Sequence, residues 1–365
     1  MDSIWDLAHP HLRDLALYEP GKPIEETARE SGLHPDQIIK LASNENPLGP
    51  SPRVRAAMQE ALTDANLYPD GGGFYLRAAL SEQLQVSPAN LVLGNGSNEI
   101  IEFIGHAFLG PETEMVTSEN AFIAYRLIAS LFGAKTIAVP DCEYCFDLDA
   151  LQRAITPRTR VVFIANPNNP TGTLVRQEGI ARFMEEVRED VVVVFDEAYF
   201  EYLDAPPDTL KFVREGRNVV VLRTFSKIHA LASVRLGYGI ARPELIRVLQ
   251  KTREPFNTSG VAQAGAVAAL ADRAHQTETK RLTDEGRQYV QSEFGALGLP
   301  FVPSMANFVL VRVGDGRAVF RALLRKGVIV RALKGYQLPE WVRISVGTME
   351  QNRKCIAALR EVLAG

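Results

Sequence analysis

Cysteine is scarce in this chain. Cys142, Cys145 and Cys355 are the only three in 365 residues, too few for a disulfide framework to carry the fold. Cys142 and Cys145 form a C-x-x-C spacing, but no second pair and no nearby histidine accompanies them. They read as two reduced thiols in a loop leading into a strand or helix, not as a metal or redox centre. Lysine and arginine never gather into a long run, and the net charge is −4. Nothing favours a polyanion, so nucleic acid is not expected as a partner. No apolar stretch approaches the ~18 residues that a membrane span requires. The start, Met1-Asp2-Ser3-Ile4-Trp5-Asp6, is acidic and lacks the apolar core of a secretory signal, so a cytoplasmic location is expected. Internal repeats and low-complexity segments are missing too.

What remains is an ordinary globular composition, 46% apolar and 23% charged. The length exceeds the ~250–300 residues at which a single core stops growing, so two domains are expected. Residues 1–45 read as an arm that begins with a short helix, turns at Glu19-Pro20-Gly21-Lys22-Pro23 and continues in a helix near Ile24–Ser31. Proline and glycine in Asn46-Pro47-Leu48-Gly49-Pro50-Ser51-Pro52 break both regular periods. A helix is predicted from about Pro52 to Thr63, and Gly71-Gly72-Gly73 opens another.

From there apolar strands alternate with helices. Strands are predicted at Leu91–Leu93, Glu114–Thr117, Lys135–Val139, Val161–Ala165, Val191–Phe195, Val219–Thr224 and Leu236–Ile240, with helices such as Asn98–Phe108, Phe122–Phe132 and Gln177–Val187 between most of them. The runs at Val161 and Val191 are almost continuously apolar, as suits strands buried on both faces of a mainly parallel sheet. The predicted fold class is α/β, with a seven-stranded large domain and a smaller α+β domain. A long helical region is predicted over Pro243–Asp272, running on with breaks to Phe294. Strands follow at Phe308–Val313 and Trp341–Ser345, and a last helix near Gln351–Leu363. The division reads as 1–45 arm, 46–260 large domain, and 261–365 interdomain helix with small domain.

Ligands in such sheets collect at the carboxyl ends of strands, and three motifs fall there. Thr224-Phe225-Ser226-Lys227 follows one strand, with Arg235 eight residues beyond the lysine. Asn166-Pro167-Asn168-Asn169-Pro170-Thr171-Gly172 follows another, and Asp196-Glu197-Ala198-Tyr199 a third. Alone, each is bland: a surface Ser-Lys pair, a turn, a capping aspartate. Together they offer what pyridoxal 5′-phosphate (PLP) needs. Lys227 supplies an amine for its aldehyde. Asp196 supplies a carboxylate that keeps the pyridine nitrogen charged. Asn169 and Tyr199 supply donors for the phenolic oxygen. Gly94-Asn95-Gly96-Ser97-Asn98 opens a helix whose first N–H groups and dipole favour a phosphate, and Thr224, Ser226 and Arg235 add hydroxyls and fixed charge. Phe122 can stack on the ring.

With these motifs in place, the chain resembles a fold-type-I PLP-dependent aminotransferase of the histidinol-phosphate aminotransferase family over nearly its whole length. Further matching text is Tyr18-Glu19-Pro20-Gly21-Lys22-Pro23, Asn44-Glu45-Asn46-Pro47, Leu67-Tyr68-Pro69-Asp70 and Val342-Arg343-Ile344-Ser345-Val346-Gly347-Thr348. The resemblance implies that Lys227 is the Schiff-base lysine and proton carrier, that Asp196 pairs with the pyridine nitrogen, and that Asn169 and Tyr199 bond the phenolic oxygen. Ser97, Asn98, Thr224, Ser226 and Arg235 are implied to hold the phosphate. Tyr68 is similar to a tyrosine that reaches the partner subunit's cofactor, which implies a homodimer. Arg331 and Arg343 match anion-binding positions for substrate, with Tyr18 and Asn44 beside them.

The implied reaction is transamination of L-histidinol phosphate with 2-oxoglutarate, giving imidazole-acetol phosphate and L-glutamate. Aromatic amino acid transamination is the alternative; a phospho-amino-acid decarboxylase and a PLP-sensing regulator share the scaffold, although no DNA-binding segment fits before Tyr18. The chain departs from the family pattern at Asn120-Ala121, where Pro-Thr is usual, at Asn98, and at Ile228, His229, Ala230 and Ser233 after the lysine. These departures bear on the shape of the pocket and leave the chemistry intact.

Overall fold

The structure is a computed structural model, and it describes residues 4–13, 15 and 21–364. Strand β1 (Ile39–Lys40) lies in the arm. Seven strands then build the larger sheet: β2 (Leu91–Gly94), β3 (Glu114–Ser118), β4 (Lys135–Val139), β5 (Thr159–Ala165), β6 (Val192–Asp196), β7 (Val219–Thr224) and β8 (Gly237–Ala241). Their order is β2-β8-β7-β6-β5-β3-β4. All neighbours run parallel except β8, which is antiparallel to both β2 and β7. Strand β6 is buried along its whole length. Its valines suit a pleated surface packed on both faces, and each fully buried Val or Phe contributes on the order of 1.5–3 kcal/mol.

Register positions the site. Ala165 of β5 lies opposite Asp196 of β6, and Asp196 lies opposite Leu222 of β7. The carboxyl ends of three adjacent strands therefore finish side by side, and their outgoing loops carry Asn169, Tyr199 and Lys227. Helices cover the sheet with apolar stripes: Ile100, Ile101, Phe103 and Ile104 on Ser97–Phe108, and Ile180, Phe183 and Met184 on Gln177–Glu186. That is the three-to-four residue spacing of one helical face.

A second core lies toward the C-terminus. Strands β9 (Phe301–Val302), β10 (Phe308–Arg312), β12 (Arg331–Leu333) and β13 (Leu338–Ser345) form an antiparallel sheet in the order β12-β13-β10-β9, while β11 (Val328–Ile329) pairs in parallel with β1 of the arm. Leu41 of the arm packs in this core with Val290, Phe294, Val309, Val342, Ile344 and Leu359.

The predicted helical region from Pro243 is two helices, Pro243–Gln250 and Gly260–Ala271, before the long Arg273–Ala296. Pro255 lies in the gap, where it cannot continue a helix. Ser259 and Asp272 restart the chain as side-chain caps on Ala262 N and His275 N. Ala262, Ala266 and Leu270 belong to the core of the larger sheet. The predicted opening helix is a pair of short 3-10 turns, Ile4–Asp6 and Pro10–Leu12. Cys142 and Cys145 face each other through reciprocal backbone hydrogen bonds in a turn, both thiols being free. Among the described residues no helix is long and apolar enough to cross a membrane, and no group of three His, Cys, Asp or Glu is placed to hold a metal.

Candidate active site

A cavity of about 570 Å³ opens where β5, β6 and β7 end, and Arg331 and Arg343 of the C-terminal sheet also line it. Lys227 is half-buried there. Its Nζ donates to Ser43 O at 3.3 Å and stands 5.6 Å from the centre of the Tyr199 ring. Asp196 is only 5% exposed. One of its carboxylate oxygens accepts from Tyr125 Oη at 2.7 Å, the other from Ala198 N at 3.3 Å. Tyr199 is held by Asn44, whose Nδ2 donates to its hydroxyl at 2.8 Å. Asn44 itself has φ +56° and is tied to the C-terminal sheet by Ser345.

One end of the cavity is built as an anion cradle. Gly96 precedes the Ser97–Phe108 helix with φ +79°. A Cβ there would lie 2.4 Å from Arg235 Nη2, so glycine is what lets the guanidinium approach the helix start. Gly237 does the same from the sheet side, since a Cβ on it would meet Ser97 N at 2.3 Å. Arg235 donates to Ala232 O at 2.8 Å and to Ser226 Oγ at 3.4 Å. Thr224 Oγ1 accepts from Ser226 N at 3.1 Å. The first N–H groups of a helix have no partner within it and face an anion favourably.

At the other end, Arg343 Nη1 donates to Asn169 Oδ1 and Nη2 to Ala42 O at 2.7 Å. Four cationic side chains, Lys227, Arg235, Arg331 and Arg343, line the cavity against two carboxylates, Glu45 and Asp196. Glu45 is paired with Lys40 at 2.7 Å. The site therefore favours anionic ligands.

Residues 36–359 match the family of class I and II aminotransferases. Over 362 residues the chain is 53% identical to the histidinol-phosphate aminotransferase of Akkermansia muciniphila, covering 99% of its own length and 100% of the relative. It is 49% identical to the enzyme of that name from Moorella thermoacetica, covering 97% of this chain and 94% of that one. Among solved structures it superposes with a TM-score of 0.89 and 30% identity on histidinol-phosphate aminotransferase from Sinorhizobium meliloti in complex with pyridoxal-5′-phosphate, 97% of each chain being covered. The chain belongs to the histidinol-phosphate aminotransferase family.

It is a PLP-dependent aminotransferase, and its residues fit that cofactor. An amine, a buried carboxylate and a cradle that a Cβ at Gly96 would fill all face one cavity. Burial pushes the Lys227 amine down to about 8, and the positive charges of Arg343 and Arg235 push the same way against Glu45 and Asp196. Burial raises Asp196, while the hydrogen bond from Tyr125, the Ala198 N–H and the charge on Lys227 oppose it. Burial likewise pushes the Tyr199 phenol up to about 12, so it remains a donor, with Arg343 and Asn44 resisting.

The aminotransferase cavity gathers Asn44, Ser97, Asn98, Phe122, Asn169, Asp196, Tyr199, Thr224, Ser226, Lys227, Arg235, Arg331 and Arg343. Tyr68 does not line it. That side chain is 83% exposed and stacks on Phe256, with ring centres 4.8 Å apart. Tyr18 lies outside the described residues. Tyr125 and Tyr336, both lining the cavity, were missed from the sequence. Tyr125 fell inside a predicted helix, where a buried aromatic reads as core. Asn120 Nδ2 donates to Tyr336 O at 2.8 Å, so one of the family departures ties the two halves of the site together.

Proposed function

We propose that this enzyme transfers the amino group of L-histidinol phosphate to 2-oxoglutarate, giving imidazole-acetol phosphate and L-glutamate in histidine biosynthesis. The observation that carries the proposal is the placing of Arg331 and Arg343 in the same cavity as Lys227. The two substrates differ in shape and share only anionic ends, and guanidinium forks bind phosphate and carboxylate alike. The names of the relatives from Akkermansia muciniphila and Moorella thermoacetica support the donor.

Bound in this cavity, PLP supplies an electron-accepting ring that acidifies the hydrogen beside the substrate nitrogen. The chain's own residues do the rest. Lys227 would anchor the cofactor through its amine, and with that amine free it would take the proton from the substrate's α-carbon. A placed base typically contributes ~10²–10⁴-fold. Asp196 holds the charge on the pyridine nitrogen. Asn169, whose Oδ1 is occupied by Arg343, presents its amide N–H groups to the phenolic oxygen together with the Tyr199 hydroxyl. Ser97, Asn98, Thr224, Ser226 and Arg235 hold the phosphate, and Phe122 covers the ring. Arg331, Arg343, Asn44 and Tyr18 receive the substrate.

The proposal includes a homodimer in which Tyr68 serves the partner's cofactor. Its support is the exposed cluster of Leu67, Tyr68, Phe74 and Tyr75, an apolar surface of the kind that marks an interface. It also keeps the division into arm (1–45), large domain (46–260) and interdomain helix with small domain (261–365), the interdomain stretch beginning against the core of the larger sheet at Ala262.

A donor panel with 2-oxoglutarate tests the substrate. Histidinol phosphate should give the highest kcat/KM, by about tenfold or more over phenylalanine and tyrosine, which offer the arginines a singly charged carboxylate in place of a doubly charged phosphate. Preference for an aromatic donor would move the assignment to the aromatic aminotransferases, and carbon dioxide release would move it to a decarboxylase.

A further inference from the structure

We infer that Tyr125 is a positioning residue that holds Asp196 ionised and correctly turned toward the cofactor's ring nitrogen; this rests on the role proposed for Asp196. The hydroxyl of Tyr125 donates to Asp196 Oδ2 at 2.7 Å across 71 residues of sequence. The ring is fixed on two sides. It stacks on Phe163 of β5 with centres 4.5 Å apart and planes at 8°, and Phe122 meets it edge-on at 5.7 Å. Tyr125 is fully buried, so its hydroxyl has no water with which to exchange that bond.

The need for such a donor is physical. A carboxylate taken out of water tends to protonate, and a neutral Asp196 could not hold a positive charge opposite it. A charge-assisted hydrogen bond favours the ionised form. Burial keeps the Tyr125 phenol protonated, well above its ordinary range, so it remains a donor at every working pH. The other titratable groups facing Asp196 are Lys227 and Tyr199. Lys227 is consumed when the cofactor is attached, and Tyr199 is already engaged by Asn44. Tyr125 is the side-chain donor that persists, alongside the weaker backbone N–H of Ala198 at 3.3 Å.

The test measures PLP affinity of the purified chain by absorbance titration across pH for the wild type, Tyr125→Phe, Asp196→Asn and the double variant. Phenylalanine keeps the stacking on Phe163, and thermal melting checks that it does. Tyr125→Phe should weaken PLP about tenfold, as loss of one bond to a charged group implies. It should also move the low-pH loss of affinity to higher pH. The double variant should be no weaker than Asp196→Asn alone, because the phenol acts through that carboxylate. Additive losses, or a Tyr125→Phe protein that binds PLP like wild type while Asp196→Asn is weakened, would overturn the inference. An Asp196→Asn protein with wild-type affinity would instead overturn the role proposed for Asp196.

Discussion

Arg343, near the end of β13, donates to Asn169 in the loop that leaves β5, 174 residues earlier in the chain. Its other terminal nitrogen holds Ala42 O in the arm, and its guanidinium carbon stands 5.3 Å from the centre of the Phe308 ring. One side chain thus joins the arm, the C-terminal sheet and the loop after β5 in the lining of the cavity.

Replacing Arg343 with alanine should raise KM for both substrates by about 10²-fold, the loss of one or two charge-assisted bonds. PLP should stay bound, because the cradle at Gly96 and Arg235 is untouched. Arg343→Lys should recover only part of the loss, since a single ammonium cannot fork across Asn169 and Ala42. Steady-state kinetics with each substrate varied in turn checks this. Unchanged KM values in Arg343→Ala would contradict it.

The pH dependence of cofactor loading follows from Lys227. Only the neutral amine attacks an aldehyde, and an ordinary lysine reaches that form near pH ~10.4. In this site burial and the neighbouring arginines bring it to about 8. The rate of PLP incorporation into apoprotein should therefore rise with pH and level off above about 8. In Arg343→Ala one repelling charge is gone, so the plateau should move to higher pH. Stopped-flow absorbance reads the profile, and a rate still climbing at about pH 10 would show an unperturbed lysine.

Subunit mixing tests where Tyr68 acts. Tyr68→Ala and Lys227→Ala proteins should each be poorly active alone. A mixed dimer should regain activity, because one of its sites then combines an intact Lys227 with an intact Tyr68 from the other chain. If each tyrosine served its own chain's site, no mixed dimer would hold a complete site and activity would not return.

Much of the fold was legible because it rests on local patterns. The valine runs of β5 to β7 have a composition that only a sheet buried on both faces explains, and the motifs lie one loop beyond each run. The anion cradle was legible in part: Gly96 before Ser97 signals a helix start, but the need for glycine comes from Arg235, 139 residues later, and depends on the fold. Strands β9, β11 and β12 have two or three residues each, too few for a period of two to register. The gap around Pro255 is written in the polar, turn-forming run 251–260, but the apolar helical spacing before and after it reads as one long helical region. Tyr125 was hidden most completely. Its stacking partner Phe163 and its acceptor Asp196 come from two neighbouring strands, and no local spacing distinguishes it from an ordinary core aromatic.

The most direct measurement is to load the protein with PLP, reduce it with borohydride and map the modified peptide by mass spectrometry. Cofactor mass on Lys227 alone, with no labelling in Lys227→Ala and no turnover by that variant, is the predicted result. Label on a different lysine, or equal labelling and retained transamination in Lys227→Ala, would contradict the account.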